Sequence, residues 1–245
     1  MSGTFTPPYC ALDAVDAQLR EAGFAVLPPT AVQQCLGCDD ACLASLLPYW
    51  ARLPLDTWLK DGGRYRRRRH SCFVIEAGAI RQVAHRAHWQ PVEYNALHGG
   101  MQRWFEPIEP GLLQHPAWAR LLHALAGWAD ALRGPQRWHV EAHPFRIDTT
   151  DGIGRPTPEG AHRDGVDLVA VLLLARHQIQ GGETRIFAAN GPQGLRFTLS
   201  EPWTLLLLDD AKVIHESTPI RPIGEAGHRD TLVITLRGGG FQGEG

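Results

Sequence analysis

From Trp138 onward the chain breaks into short apolar runs: residues 138–147, 166–174, 183–187, 195–199, 204–208, 212–215 and 231–236. Glycine, proline, asparagine and aspartate punctuate them about every ten residues, and most are rich in leucine or β-branched residues. Runs of this length suit strands and are too short for buried helices. Segments of this kind bury their apolar faces by pairing antiparallel, as a sandwich or barrel. The first third has a different texture. Residues 11–22 are helical in period and end at Gly23, Phe24–Leu27 reads as a short strand, and 31–47 as a second helix stopped by Pro48. A strand is expected at Ser71–Glu76, and a longer helix at 112–132 closed by Gly134-Pro135. The reading is a mainly β fold with flanking helices, an N-terminal helical layer on a jelly roll. It takes 1–245 as a single domain, with 1–135 a helix-rich support and lid region and 136–245 the core.

Composition narrows the function. A net charge of −2 with 44% hydrophobic residues fits no dedicated nucleic-acid binder. No apolar run approaches the roughly 18 residues of a membrane span. Residues 1–20 show neither a basic leader nor a hydrophobic stretch, so no secretory signal is expected. The five cysteines, Cys10, Cys35, Cys38, Cys42 and Cys72, are odd in number and absent from the last two-thirds, which fits a reducing cytoplasm. Offsets of three and seven place Cys35, Cys38 and Cys42 on one helix face as small hydrophobes, and no second Cys or His pair completes a zinc site. The run Arg64-Tyr65-Arg66-Arg67-Arg68-Arg69-His70 reads as a solvated face, and alternating arginines on a strand can also pair with carboxylates.

The chemistry is concentrated in the β-rich half. In His162-Arg163-Asp164, positions i and i+2 share a face if the segment enters a strand. With a second histidine from another strand, such a pair makes the 2-His-1-carboxylate triad of non-haem Fe(II) oxygenases. The tripeptide alone says little: about one H-x-D is expected by chance in this composition, and His228-Arg229-Asp230 is a second. Order separates them. Only the first is followed by a Gly181-Gly182-Glu183-Thr184 turn, by His215 as third ligand, and by Arg229 and Thr231 two apart on the last strand. A guanidinium beside a hydroxyl suits the far carboxylate of a dicarboxylic cosubstrate. His228, between those two, is expected to face away.

This ordered set, with Pro219, resembles the 2-oxoglutarate- and Fe(II)-dependent dioxygenase superfamily. Tyr94-Asn95, His98-Gly99-Gly100, residues 143–147 and residues 229–235 resemble more narrowly its bacterial branch of free amino-acid hydroxylases, the isoleucine dioxygenase-like family. The resemblance implies a double-stranded β-helix, Fe(II) held by His162, Asp164 and His215, 2-oxoglutarate held by Arg229 and Thr231, and O2 as oxidant. It implies hydroxylation of a free L-amino acid or similar small metabolite, coupled to decarboxylation of 2-oxoglutarate to succinate and CO2. For that substrate, Arg146 is the candidate for its carboxylate, and Asp167 or Glu159 for its ammonium. A small-molecule substrate is expected, with no nucleic acid and no membrane, and a homodimer is left open. Two alternatives stay in view: the same chemistry on a protein or nucleic acid docked along 64–69, and a non-catalytic jelly-roll binding protein. The His85-x-x-His88 pair, lacking a third ligand nearby in sequence, is read as structural.

Overall fold

The computed structural model describes residues 5–95 and 97–243. In chain order its elements are α1 (Val15–Ala22), β1 (Phe24–Leu27), α2 (Pro29–Leu36), α3 (Asp40–Ala44), α4 (Leu47–Ala51), β2 (Arg66–Arg68), β3 (Ser71–Glu76), β4 (Ala79–Gln82), α5 (Pro110–Leu113) and α6 (Pro116–Arg133). The β-rich half follows with β5 (Trp138–Asp148), β6 (Leu168–His177), β7 (Ile179–Gly181), β8 (Glu183–Ala188), β9 (Gly194–Thr198), β10 (Leu205–Asp209), β11 (Val213–Ser217), β12 (Ile220–Pro222) and β13 (His228–Arg237). All seven runs expected as strands in this half are strands, with ends shifted by a few residues.

One large sheet runs β1-β10-β6-β13-β5-β3-β4, with β2 also paired to β5, and every named strand pair is antiparallel. Smaller sheets, β11-β8-β9 and β12-β7, complete the jelly roll. Side chains alternate across the large sheet, so its two faces have separate tasks. Val140 and Ala142 of β5, Leu172 and Leu174 of β6, Leu205 and Leu207 of β10, and Leu232, Ile234 and Leu236 of β13 join the core with Leu19, Leu36, Trp118, Leu122 and Leu125 from the helices. That is the helical layer read from sequence. The opposite face presents His139, Glu141, His143, Phe145 and Ile147 of β5 and Arg229, Thr231, Val233, Thr235 and Arg237 of β13 to a cavity. Among the described residues no helix is long and apolar enough to cross a membrane.

Several expectations for the first third are corrected. The stretch 31–47 is not one helix: Gly37, at φ +54° in the left-handed region that glycine tolerates, ends α2. Asp39 then accepts from the Cys42 backbone N–H and caps α3. The break removes the shared helix face of the cysteines, and Cys38 and Cys42 form a disulfide across it, so the argument for a reducing compartment does not extend to this pair. Pro48 opens α4 rather than stopping a helix, because a first-turn proline gives up no intrahelical bond. The arginine run is corrected as well: residues 66–68 form β2, and Arg66 and Arg68 are buried rather than solvated.

Candidate iron centre

Two backbone hydrogen bonds hold the centre together. His162 N–H donates to His215 O and His215 N–H to His162 O, each at 3.0 Å, bridging the loop before β6 to β11. The imidazoles consequently stand side by side, centroids 4.7 Å apart. Asp164 does not share a strand with His162, as the sequence suggested. It sits on a turn at which the buried Asp210 carboxylate accepts from the backbone N–H groups of Asp164, Gly165 and Val166 at 3.0, 2.8 and 3.1 Å. Gly165, at φ +74°, makes the reversal. Gln242 secures the other side, its amide donating to the carbonyls of Asp164 and Gly165.

The result is a triad that converges without touching. His162 Nε2 lies 3.7 Å from Asp164 Oδ1, and His215 Nε2 lies 3.7 Å from Asp164 Oδ2. Those gaps are too long for hydrogen bonds. A first-row dication with bonds of about 2.1 Å would pull such atoms to roughly 3 Å apart. His162 Nδ1 donates to Gly160 O at 2.9 Å, which leaves its Nε2 lone pair free for a metal. The three groups are shifted in different directions. Burial pushes the Asp164 carboxyl up, against the pull of His162 and a hydrogen bond from Gln90. Burial and the neighbouring His162 push His215 down to about 3. For His162 burial acts downward too, but the Asp164 and Glu159 carboxylates outweigh it and hold it above its ordinary value. Burial thus keeps His215 neutral, while a metal cation would take the place of the proton that the carboxylates favour on His162 and would offset the cost of burying the Asp164 charge.

On the same cavity wall, Arg229 is buried and its Nε has no partner among the described residues. Burial, then the nearby Arg176, push its guanidinium down to about 10, still a cation near neutrality. Thr231 and Thr184 line the cavity beside it, and the Thr184 hydroxyl is also unpartnered. This buried N–H and hydroxyl set is suited to a carboxylate.

The other expected residues divide. Glu159 lines the cavity, with Oε1 3.6 Å from His162 Nε2 and Oε2 buried without a partner. Arg146 and Asp167 are not brought to the site. Arg146 alternates with the inward Phe145 and Ile147 and lies on the other face of β5, where it donates to both oxygens of Asp230 at 2.8 and 2.7 Å. Asp167 accepts from Arg133 Nε at 3.1 Å and from Gly238 N–H at 2.9 Å. His228 is on the Asp230 face as well, 3.6 Å from that carboxylate.

Two features were not read from the sequence. His70, His88, Glu141 and His143 form a second, fully buried histidine–carboxylate group. Arg66 and Arg68, from the supposedly solvated run, are buried and line the cavity, while Arg67 and Arg69 pair with Asp148 and with Glu106. The available signal was β2's alternation, masked because every residue of it is arginine.

The 2OG-Fe dioxygenase family model matches residues 47–235. A bsmA homolog from Methylobium petroleophilum PM1, known from its crystal structure, is 54% identical over 97% of both chains, with a TM-score of 0.91. The structure of IDO from Bacillus thuringiensis superposes with a TM-score of 0.78 at 16% identity, covering 97% of this chain and all of that one. The Fe(II)/α-ketoglutarate-dependent dioxygenase TqaL gives 0.69 at 19% identity, over 95% of this chain and 88% of that one. No curated protein matches. The last two likenesses establish the fold, while the family match and the 54% relative go further. With a convergent His–Asp–His triad inside a jelly roll, the chain belongs to the 2-oxoglutarate- and Fe(II)-dependent dioxygenases.

Proposed function

We propose that this dioxygenase hydroxylates a free L-amino acid or a closely similar small metabolite, with His162, Asp164 and His215 holding the iron. The observation that carries the reading is the pairing, in one cavity, of that triad with the unpartnered Arg229 guanidinium. Bound Fe(II) supplies the oxidative decarboxylation of 2-oxoglutarate to succinate and CO2, coupled to hydroxylation of a substrate C–H bond. The protein supplies ligand number, orientation and exclusion of water. Arg229 and Thr231 fix the far carboxylate of 2-oxoglutarate, with Thr184 as a further donor.

Support for a small charged substrate comes from the remaining walls. Cationic and anionic side chains both face the cavity, among them Arg66, Arg68, Arg103, Glu141 and Glu159. Glu159, with a free oxygen beside an iron ligand, accepts the substrate's ammonium. Docking of a macromolecule along residues 64–69 loses its support, since Arg66 and Arg68 point inward and Arg67 and Arg69 are paired. The test is succinate release by the iron-loaded enzyme across a panel of free L-amino acids, peptides and oligonucleotides. At least one free amino acid should stimulate turnover. Stimulation by peptides or oligonucleotides alone would remove the small-molecule reading.

A further inference from the structure

With Arg146 committed to Asp230, another cation has to meet the acid group of a substrate, and beside Arg229 the cavity is lined by Arg66, Arg68, Arg103 and Arg237, of which the first three are buried. Arg66, Arg68 and Arg103 all line it and are 5%, 3% and 2% exposed. Each is anchored through one nitrogen. Arg66 Nε donates to Asp56 at 2.7 Å, Arg68 Nη2 to His143 Nδ1 at 2.6 Å, and Arg103 Nη2 to Gln90 Oε1 at 3.0 Å. Each also keeps a buried N–H with no partner among the described residues: Nη2 of Arg66, Nε of Arg68 and Nε of Arg103. A buried donor left without an acceptor is destabilising, and more so on a charged group. All three arginines line one cavity, where a bound carboxylate could satisfy such donors.

The wall is rigid. Arg68 is stacked between aromatic rings, its Cζ 3.9 Å from the Phe105 centroid and 4.4 Å from that of Phe145. The wall's charge is only partly offset by the nearby Asp56, Glu141 and Glu159 carboxylates. Among these hydrogen bonds only Asp56 offers an anion, since Arg68 binds an imidazole and Arg103 an amide. Burial, then Arg66, push Arg68 well down and Arg103 down to about 10, so an arriving anion would relieve both.

We propose that Arg66, Arg68 and Arg103 are the binding site for the carboxylate of the substrate. The inference rests on the reading of this cavity as a small-molecule dioxygenase site and adds the group that the substrate must carry. Its geometry orients the reaction. An acid seated on the guanidiniums and a donor on Glu159 bracket the part of the molecule that faces the iron ligands. Gln90 links the arginines to the iron ligands, because its Oε1 accepts from Arg103 and from Asn95 while its Nε2 donates to Asp164 Oδ1 at 3.3 Å.

The experiment takes the iron-loaded protein with whichever free L-amino acid, or other small carboxylic acid of a matched panel, stimulates succinate release. That acid is compared with its carboxamide. The carboxamide's KM should rise about a hundredfold, and Arg103→Met and Arg68→Met should raise the acid's KM by a similar factor while erasing the preference for acid over amide. Affinity for 2-oxoglutarate, followed anaerobically by its charge-transfer band with Fe(II), should stay within about twofold in both variants. Arg64→Ala, in an exposed arginine paired with Asp151, should change neither quantity. If Arg68→Met does not fold, Arg103→Met with the acid–amide pair decides. Equal use of acid and amide by the wild type overturns the proposal, as does loss of 2-oxoglutarate binding rather than of substrate binding in Arg103→Met. If no amino acid acts but another small carboxylate does, with the same arginine dependence, the amino-acid reading fails and the carboxylate site stands.

Discussion

Two clusters of histidines around a carboxylate lie among the described residues, and they differ in what they point at their centres. In His162–Asp164–His215 the imidazole Nε2 atoms stand 3.7 Å from the carboxylate oxygens. In His70–His88–Glu141–His143 the carboxylate is in direct contact with its neighbours: Glu141 Oε2 accepts from His70 Nε2 at 2.9 Å and from His88 Nδ1 at 2.7 Å. His143 is committed as well. Arg68 can only donate, so His143 Nδ1 accepts from it and the ring proton is on Nε2, facing Glu141 at 3.8 Å. Protons converge on the carboxylate in the second group, whereas in the first the two Nε2 atoms face Asp164 without hydrogen-bonding it and His162 keeps its proton on Nδ1 for Gly160 O. Residue type therefore does not decide which group takes a metal. The hydrogen bond made by the other ring nitrogen does: His162 Nδ1 donates to a carbonyl, whereas His143 Nδ1 receives a guanidinium.

The contrast can be broken at several points. The largest effect is expected from His162→Ala. Loss of one of three ligands should abolish stoichiometric Fe(II) binding and lower succinate formation more than about a thousandfold. Iron retained at wild-type affinity would refute the assignment. Next, Glu141→Leu removes the acceptor of two charge-assisted hydrogen bonds and should cost about 3 kcal/mol of unfolding free energy in urea, while leaving one iron per chain. If this variant loses iron with its stability unchanged, the buried group is the metal site.

Acid should act on the buried group in a defined direction. Burial pushes His88 down to about 3, despite Glu141, and also lowers His70 and His143. At these histidines the unfolded chain therefore binds more protons than the folded one between pH 6.5 and about 3, so the stability they contribute above pH 6.5 is lost as the pH falls. For His88 alone this amounts to about 2 kcal/mol between pH 7 and pH 5. Unfolding midpoints that do not move over that range would show that these histidines are not held neutral. The smallest effect belongs to Gln90→Leu, which removes a donor from Asp164 and should weaken Fe(II) binding about tenfold without altering stoichiometry.

How far the sequence could be read follows from how local each signal is. The strands of the β-rich half announce themselves, because their alternation and turn residues lie within ten residues of one another. The iron ligands were legible as an ordered series, though the reason Asp164 points inward was not. Its turn depends on Asp210, 46 residues later, receiving three backbone N–H groups. The buried histidine group draws on β3's approach, the loop holding His88, and β5, so no spacing rule finds it. Arg66 and Arg68 were hidden for a related reason. An all-arginine strand has no hydrophobic alternation, and the partners that make it an inner wall, Asp56, Phe105, Phe145 and His143, are set by tertiary pairing. The same remoteness made Arg146 look available, since Asp230, its cross-strand neighbour, is 84 residues away.

The central claim is that iron goes to the His162–Asp164–His215 group and to that group alone. Anaerobic titration of the metal-free protein with Fe(II) in the presence of 2-oxoglutarate reads it directly, through the visible charge-transfer band and the amount of metal bound. The account predicts one iron per chain, with the band lost in His215→Ala and kept in Glu141→Leu. Two irons per chain, or a band that survives in His215→Ala and disappears in Glu141→Leu, would contradict it.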